Sequence, residues 1–214
     1  MRGKIVRDPD TPAYENDEIA VDGTPVEAAQ KFYFAMNKPR GIVTTASDEK
    51  GRKTVMDLFR EQYARLFPGK PVPHISPVGR LDAASEGLLL FTNDTQWADT
   101  LLDPREPSQH IKIYRVQVAG KPSAADLAKM EAGFNVAPRV FGESEEFMHA
   151  ERATLHSEGE KNCWLEIELS EGKNREIRRM LAHLGYEVMR LMRIQFDKYT
   201  LGDLKPGEIR EITP

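Results

Sequence analysis

The 214-residue chain has one cysteine, Cys163, so an internal disulfide is excluded. Its longest evident apolar run is Leu88–Phe91, far short of the roughly 20 residues that a membrane helix needs, and the segment MRGKIVRDPD has no apolar stretch of secretory-signal length. The phosphate-cradling loops G-x-G-x-x-G and G-x-x-x-x-G-K-[ST] are absent, as is the G-x-S-x-G nucleophile elbow. Five histidines (74, 110, 149, 156 and 183) are scattered, none at ligand spacing from another or from Cys163. These absences argue against nucleotide-loop, serine-hydrolase, thiol and metal chemistry. A cytoplasmic chain with no membrane partner is expected.

An excess of positive charge is also missing. The net charge is −4, which by itself speaks against a polyanionic partner. The distribution reverses that conclusion. Residues 8–30 carry seven acidic side chains and no Lys or Arg, three basic residues precede them, and 31–214 is therefore neutral. Within that neutral body, 171–193 holds six basic residues against three acidic ones. Phosphate contacts are local, so a basic surface on a neutral domain suffices for nucleic acid.

Residues 7–30 read as an extended, strand-poor lead-in. Phe32, Phe34 and Met36 alternate as a strand ending at Asn37-Lys38-Pro39, and Gly41–Thr45 is a second β-like run. Thr54-x-x-Asp57 is a capping box opening a helix with the stripe Met56, Phe59, Tyr63 and Phe67, stopped at Pro68-Gly69. Residues 68–78 form a Pro-rich loop. The strand Leu88–Phe91 is apolar on both faces and belongs in a sheet centre. Asn93-Asp94 caps a short helix carrying Trp97, Leu101 and Leu102, Ile111–Val118 is a strand, and Ser123–Glu131 is a helix stopped by Gly133. Trp164–Leu169 alternates, and Asn174 is read as the cap of a helix running to Leu184. Without a regular βαβ rhythm, this is an α+β chain with a largely antiparallel mixed sheet flanked by helices.

Three places carry chemistry. Asp82 lies in a glycine-bounded polar turn before the central strand, where catalytic groups concentrate, although many Asp residues in turns only stabilise the turn. The 174–184 helix sets Ile177, Met180, Leu181 and Leu184 on one face and Arg175, Arg178 and Arg179 on the other, suited to phosphate or carboxylate. Tyr114 shares a strand face with Lys112, where packing is the ordinary role.

Taken together, the pieces resemble a known family. Gly79-Arg-Leu-Asp-Ala-Ala-Ser-Glu-Gly-Leu-Leu-Leu-Phe-Thr-Asn-Asp94 is similar to the GRLDxxSxGLLLLTND signature of the RsuA/RluB/RluE/RluF pseudouridine synthases. Phe34-x-Met-Asn-Lys-Pro-Arg-Gly41, Lys112-Ile-Tyr114, Glu171–Met180 and Leu191-x-Arg193 resemble the family's remaining blocks, in order. The resemblance implies a pseudouridine synthase fold over 31–214 and isomerisation of uridine in ribosomal RNA, large-subunit RNA favoured, without cofactor or metal. It casts Asp82 as nucleophile (at C1′ or C6), Tyr114 as the residue packing on the base and aiding removal of the C5 proton, and Arg178 as the partner of Asp82. It also implies that Arg80 holds the displaced nucleotide and Leu191 lines the uracil pocket. Lys38, Lys112, Lys173, Asn174, Arg175 and Arg179 are then expected to contact RNA. Residues 1–30 resemble only the tail of an S4-type RNA-binding module, and a monomer is expected. Glu176 stands where the family often has Gln. Other readings are a small-subunit or transfer RNA substrate, a non-catalytic RNA-binding protein on this fold, and a hydrolase pairing Asp82 with Glu86.

Overall fold

A computed structural model describes residues 5–8, 11–12, 17–25, 30–45, 47–103, 110–138 and 144–214. The chain divides into two compact units, Met1–Lys31 and Phe32–Pro214. In the first, β1 (Ala20–Val21) pairs antiparallel with β2 (Thr24–Pro25). Asp22 and Gly23 turn between them at φ of 50° and 79°, the left-handed pair that a two-residue hairpin demands. The lead-in thus contains a small hairpin, signalled by Asp-Gly; Val26 lies outside the described residues.

The second unit runs β3 (Tyr33–Lys38), α1 (Val55–Leu66), β4 (Ser76–Val78), β5 (Glu86–Thr92), α2 (Thr95–Leu102), β6 (Lys112–Ala119) and α3 (Ala124–Ala132). It continues through β7 (Phe134–Val136), β8 (Glu146–Met148), β9 (Arg152–Glu158), β10 (Asn162–Leu169), α4 (Glu176–His183), β11 (Val188–Phe196), β12 (Tyr199–Thr200) and β13 (Ile209–Glu211). The main sheet has the order β13-β3-β5-β11-β6-β10-β9, with β4 paired to β5 and β12 to β11. Its described pairings are antiparallel except β5 with β11. This is the α+β mixed sheet that the sequence implies.

Strand β5 is buried on both faces because each face has its own core. Leu89 and Phe91 join Phe34, Phe59 and Val116 in a large cluster, while Leu88 and Leu90 join Ala35, Leu101, Phe196 and Tyr199 in a smaller one on the other side. Phe59 of α1 sits between Phe34 and Phe91, with ring centroids 5.2 and 5.3 Å away. The Thr54/Asp57 capping box and the Ser123 cap with its Gly133 stop form as the sequence indicates.

Three local expectations are corrected. Gly41–Thr45 makes only a single bridge, Val43 with Thr54, and its polar groups tie down the loop beside it instead of extending a strand. The Pro-rich loop ends in β4, whose Pro77 sits on an edge where its missing N–H is tolerated. Helix α4 starts at Glu176, one residue later than a cap at Asn174 requires, and its N-cap is Arg175 in the left-handed region at φ 53°. There Glu176 reaches back and accepts the Lys173 N–H at 3.1 Å.

Candidate active site

The turn between β4 and β5 holds Asp82, and its backbone is tied at every step. The Leu81 carbonyl accepts from Thr44 Oγ1 at 2.7 Å, that of Asp82 from Lys38 Nζ at 3.1 Å, and that of Ala83 from the Gly41 N–H at 2.7 Å. The Ala84 carbonyl accepts from Arg178 Nη2 at 3.1 Å and that of Ser85 from Lys38 Nζ at 2.8 Å. Five consecutive carbonyls bound by donors from other elements leave the turn one conformation. The Asp82 side chain stays 42% exposed at the mouth of a cleft of about 530 Å³.

Strand β6 forms one wall. Tyr114, 8% exposed, projects into the cleft beside Arg193 of β11, its register partner, and Leu191 of the same strand lines the floor. The opposite wall is the segment 172–177, which brings Arg175 Nη1 to 3.4 Å from Asp82 Oδ2. An ion pair this exposed contributes less than about 1 kcal/mol, so Arg175 orients the carboxylate more than it stabilises the fold. Its left-handed backbone carries about 1–2 kcal/mol of strain at this contact.

Of the residues singled out in the sequence, Arg80, Asp82, Lys112, Tyr114, Lys173, Asn174, Arg175 and Leu191 meet in this cleft. Three lie elsewhere. Lys38 is wholly buried, its ammonium donating to the carbonyls of Pro39, Asp82 and Ser85, so a direct phosphate contact is closed to it. Arg178 donates to the Ala84 and Val188 carbonyls and supports the Asp82 turn from behind; the carboxylate's partner is Arg175. Arg179 turns toward β7 and β8, where it meets Glu146 at 2.5 Å and the Ala137 carbonyl at 3.2 Å. Glu86 is bound by Arg190 Nε at 2.9 Å and does not line the cleft, which removes the geometric support for an Asp82/Glu86 hydrolase pair.

Burial shapes the charges. It pushes Lys38 down to about 8, against the pull of Asp82 and Glu86. Burial first and Glu171 second raise Glu176 to about 8. Burial, reinforced by Arg193, lowers Lys112, and burial with the nearby Arg175 lowers Arg178. Lys173 is held by the Phe147 carbonyl at 2.9 Å and by Glu171. Among the described residues no group of three His, Cys, Asp or Glu side chains converges as a metal site, and no helix is long and apolar enough to cross a membrane.

Two cleft residues carry more than their sequence context indicated. Glu176 and Arg193 are 3% exposed each, and each has a side-chain atom with no hydrogen-bond partner among the described residues: Oε1 of Glu176 and Nη2 of Arg193. The signal for Arg193 was its spacing from Leu191, which puts both on one face once 188–196 is known to be a strand.

The family model described as RNA pseudouridylate synthase matches residues 32–183. The chain is 34% identical over 215 residues to the ribosomal large subunit pseudouridine synthase B of Bacillus subtilis (strain 168), spanning 100% of this chain and 81% of that protein. It is 33% identical over 201 residues to the ribosomal large subunit pseudouridine synthase E of Vibrio parahaemolyticus serotype O3:K6, spanning 87% and 76%. A crystal structure of a pseudouridylate synthase superposes with a TM-score of 0.69 at 27% identity, over 99% of this chain and 84% of that one. With its sheet and its matched motifs in hand, the chain belongs to the RNA pseudouridine synthases, isomerases of RNA, within the RsuA/RluB/RluE family.

Proposed function

We propose that this chain isomerises a uridine of ribosomal RNA, large-subunit RNA by preference, with Asp82 as nucleophile. One observation carries the reading: a half-exposed carboxylate, oriented by Arg175 and fixed on an immobilised turn, overhangs a cleft walled by Tyr114. The large-subunit preference is supported by the names of the B and E relatives. The ribosomal substrate places the work in the cytoplasm.

Reaching a base inside folded RNA requires its extrusion, at a few kcal/mol. Arg80, Lys173 and Arg175, which line the cleft, supply phosphate contacts that offset this, and Arg80 occupies the position the nucleotide leaves. The uracil stacks on Tyr114 and rests on Leu191. Asp82 attacks C1′ or C6, the uracil detaches, turns and rejoins through C5, and Tyr114 helps remove the C5 proton. Arg178 and Lys38 act at one remove, by holding the backbone that carries Asp82.

The test is tritium release from unmodified ribosomal transcripts labelled at uridine C5, since rejoining through C5 expels that hydrogen. Wild type is expected to release tritium, and Asp82→Asn to lose about 10³-fold or more. Release that survives the substitution removes Asp82 as nucleophile; no release by wild type from large- or small-subunit transcripts removes the ribosomal reading.

A further inference from the structure

The floor of the cleft holds two cations against one ring. Lys112 Nζ lies 5.2 Å and Arg193 Cζ 5.0 Å from the centroid of Phe196. Lys112 donates to the Ser170 carbonyl at 3.3 Å, and Arg193 Nε donates to the Leu88 carbonyl at 2.8 Å. Those bonds account for part of each head group. Nη2 of Arg193 remains buried and, among the described residues, without a hydrogen-bond partner, in a residue 3% exposed that borders the cleft. A buried charged donor left without a partner is costly, and a second cation beside it raises the cost. Anchoring Leu88 explains Nε; it leaves Nη2 unexplained.

We propose that Arg193, with Lys112 beside it, is a charge-stabilising residue whose free Nη2 receives a carbonyl oxygen of the uracil and holds the negative charge that this oxygen gains during the reaction. The assignment rests on the reading of the cleft as the uridine site, and it holds for either point of attack. At C1′, a carboxylate oxygen of Asp82 bonds to C1′ as the C1′–N1 bond breaks, and the bonding pair leaves with the base as a uracilate whose charge is shared by N1, O2 and O4. C5 of that anion then bonds to C1′ while the bond to Asp82 breaks and returns the carboxylate; C5 gives up its proton and N1 takes one. At C6, the carboxylate oxygen bonds to C6 and the C5=C6 pair moves onto O4 as an enolate. Both routes place negative charge on a carbonyl oxygen of the uracil as the bond to Asp82 forms. A donor already desolvated beside the cleft needs little reorganisation. Lys112, its pKa lowered by burial and by Arg193, gains from the same anion.

The experiment compares wild type, Arg193→Gln, Arg193→Lys and Lys112→Gln in single-turnover tritium release with enzyme in excess, alongside RNA affinity as a function of salt. Removing one such donor lowers the chemical step by about 10²–10³-fold. Arg193→Gln is expected to show that loss with an RNA Kd within about threefold of wild type and an unchanged salt slope. Arg193→Lys, which restores the cation, is expected to recover at least about tenfold. Should Arg193→Gln fail to fold, Lys112→Gln, which leaves the Leu88 bond in place, carries the test with a loss of about 10-fold or more. The inference is overturned by a full single-turnover rate in a folded Arg193 variant or in Lys112→Gln. It is equally overturned by weaker RNA binding with the salt slope reduced by about one, which marks a phosphate contact, or by Arg193→Lys as slow as Arg193→Gln, which marks a structural role. Those outcomes leave a working wild-type synthase. Silence of the wild type itself would instead remove the ribosomal reading, and this inference with it.

Discussion

Replacing Lys38 by Met tests whether the Asp82 turn is held from inside the protein. Lys38 is fully buried and donates to three carbonyls, at 3.2 Å for Pro39, 3.1 Å for Asp82 and 2.8 Å for Ser85. Methionine keeps the length and apolar stem but removes all three donors. The Asp82 carbonyl retains the Ser85 N–H at 2.9 Å, so the buried Ser85 carbonyl bears most of the penalty, at roughly 1–3 kcal/mol, and Pro39 adds less. Removing the buried charge returns part of this, as the depressed pKa of Lys38 indicates. A net destabilisation of about 1–3 kcal/mol follows, read as a lower denaturant midpoint at unchanged m value. The freed turn no longer fixes Asp82, and a misplacement of about 1 Å lowers turnover by about 10²-fold. Single-turnover tritium release and RNA affinity at several salt concentrations separate the possibilities. Loss of rate with unchanged affinity and salt slope is expected. Destabilisation below about 1 kcal/mol with a normal rate would refute the reasoning. A weaker Kd with a shallower salt slope would show Lys38 touching phosphate, and the burial argument would fail.

Two more substitutions probe the frame around the cleft. Gly87→Ala meets two obstacles: φ is 103°, and the added Cβ would run into the backbone carbonyl of Arg193 where β5 and β11 lie parallel. A loss above about 3 kcal/mol in thermal or denaturant unfolding is expected, because backbone on neither strand can yield without breaking the pairing. Glu176→Gln tests the buried carboxyl. Its folded pKa, raised to about 8 by burial and Glu171, means the folded state keeps a proton that the unfolded chain has lost above about 4.5. Wild-type stability from this group therefore falls as pH rises from about 4.5 to 8 and levels off beyond, and the Gln variant lacks that slope. Urea unfolding at pH 5, 6.5 and 8 reads the difference, and parallel slopes for the two proteins would contradict it.

The elements legible in the sequence are those whose signals are local. Strand β11 was missed because its ladder with β6 shifts register between Val188 and Arg190 and again between Arg193 and Gln195, so its apolar residues never alternate cleanly. Strand β9 is mostly exposed and irregular against β10, and a sheet edge of that kind carries no two-residue pattern to read. The start of α4 was misplaced because Asn174 has the chemistry of a cap, while the chain makes its turn with Arg175 in a conformation few side chains adopt. In the site, Asp82, Tyr114 and Leu191 have roles through motif order, whereas Arg193, though it stands in the same block as Leu191, has none.

By itself the sequence determined the capped helices, the two-faced strand β5 and the ordered motifs that mark a pseudouridine synthase. Each depends on residues a few positions apart, and backbone geometry alone brings them together. Only the tertiary structure decided what each charged side chain touches. Arg175 rather than Arg178 meets Asp82 across 93 residues, Lys38 reaches inward to a turn 44 residues on, and Arg179 is taken by Glu146 33 residues away. Arg193 binds Leu88 across 105 residues and keeps one buried donor without a partner among the described residues. Long cationic side chains have many directions open to them. Which one is used depends on which carbonyl or carboxylate the packed sheet sets beside them, and no spacing along the chain encodes that.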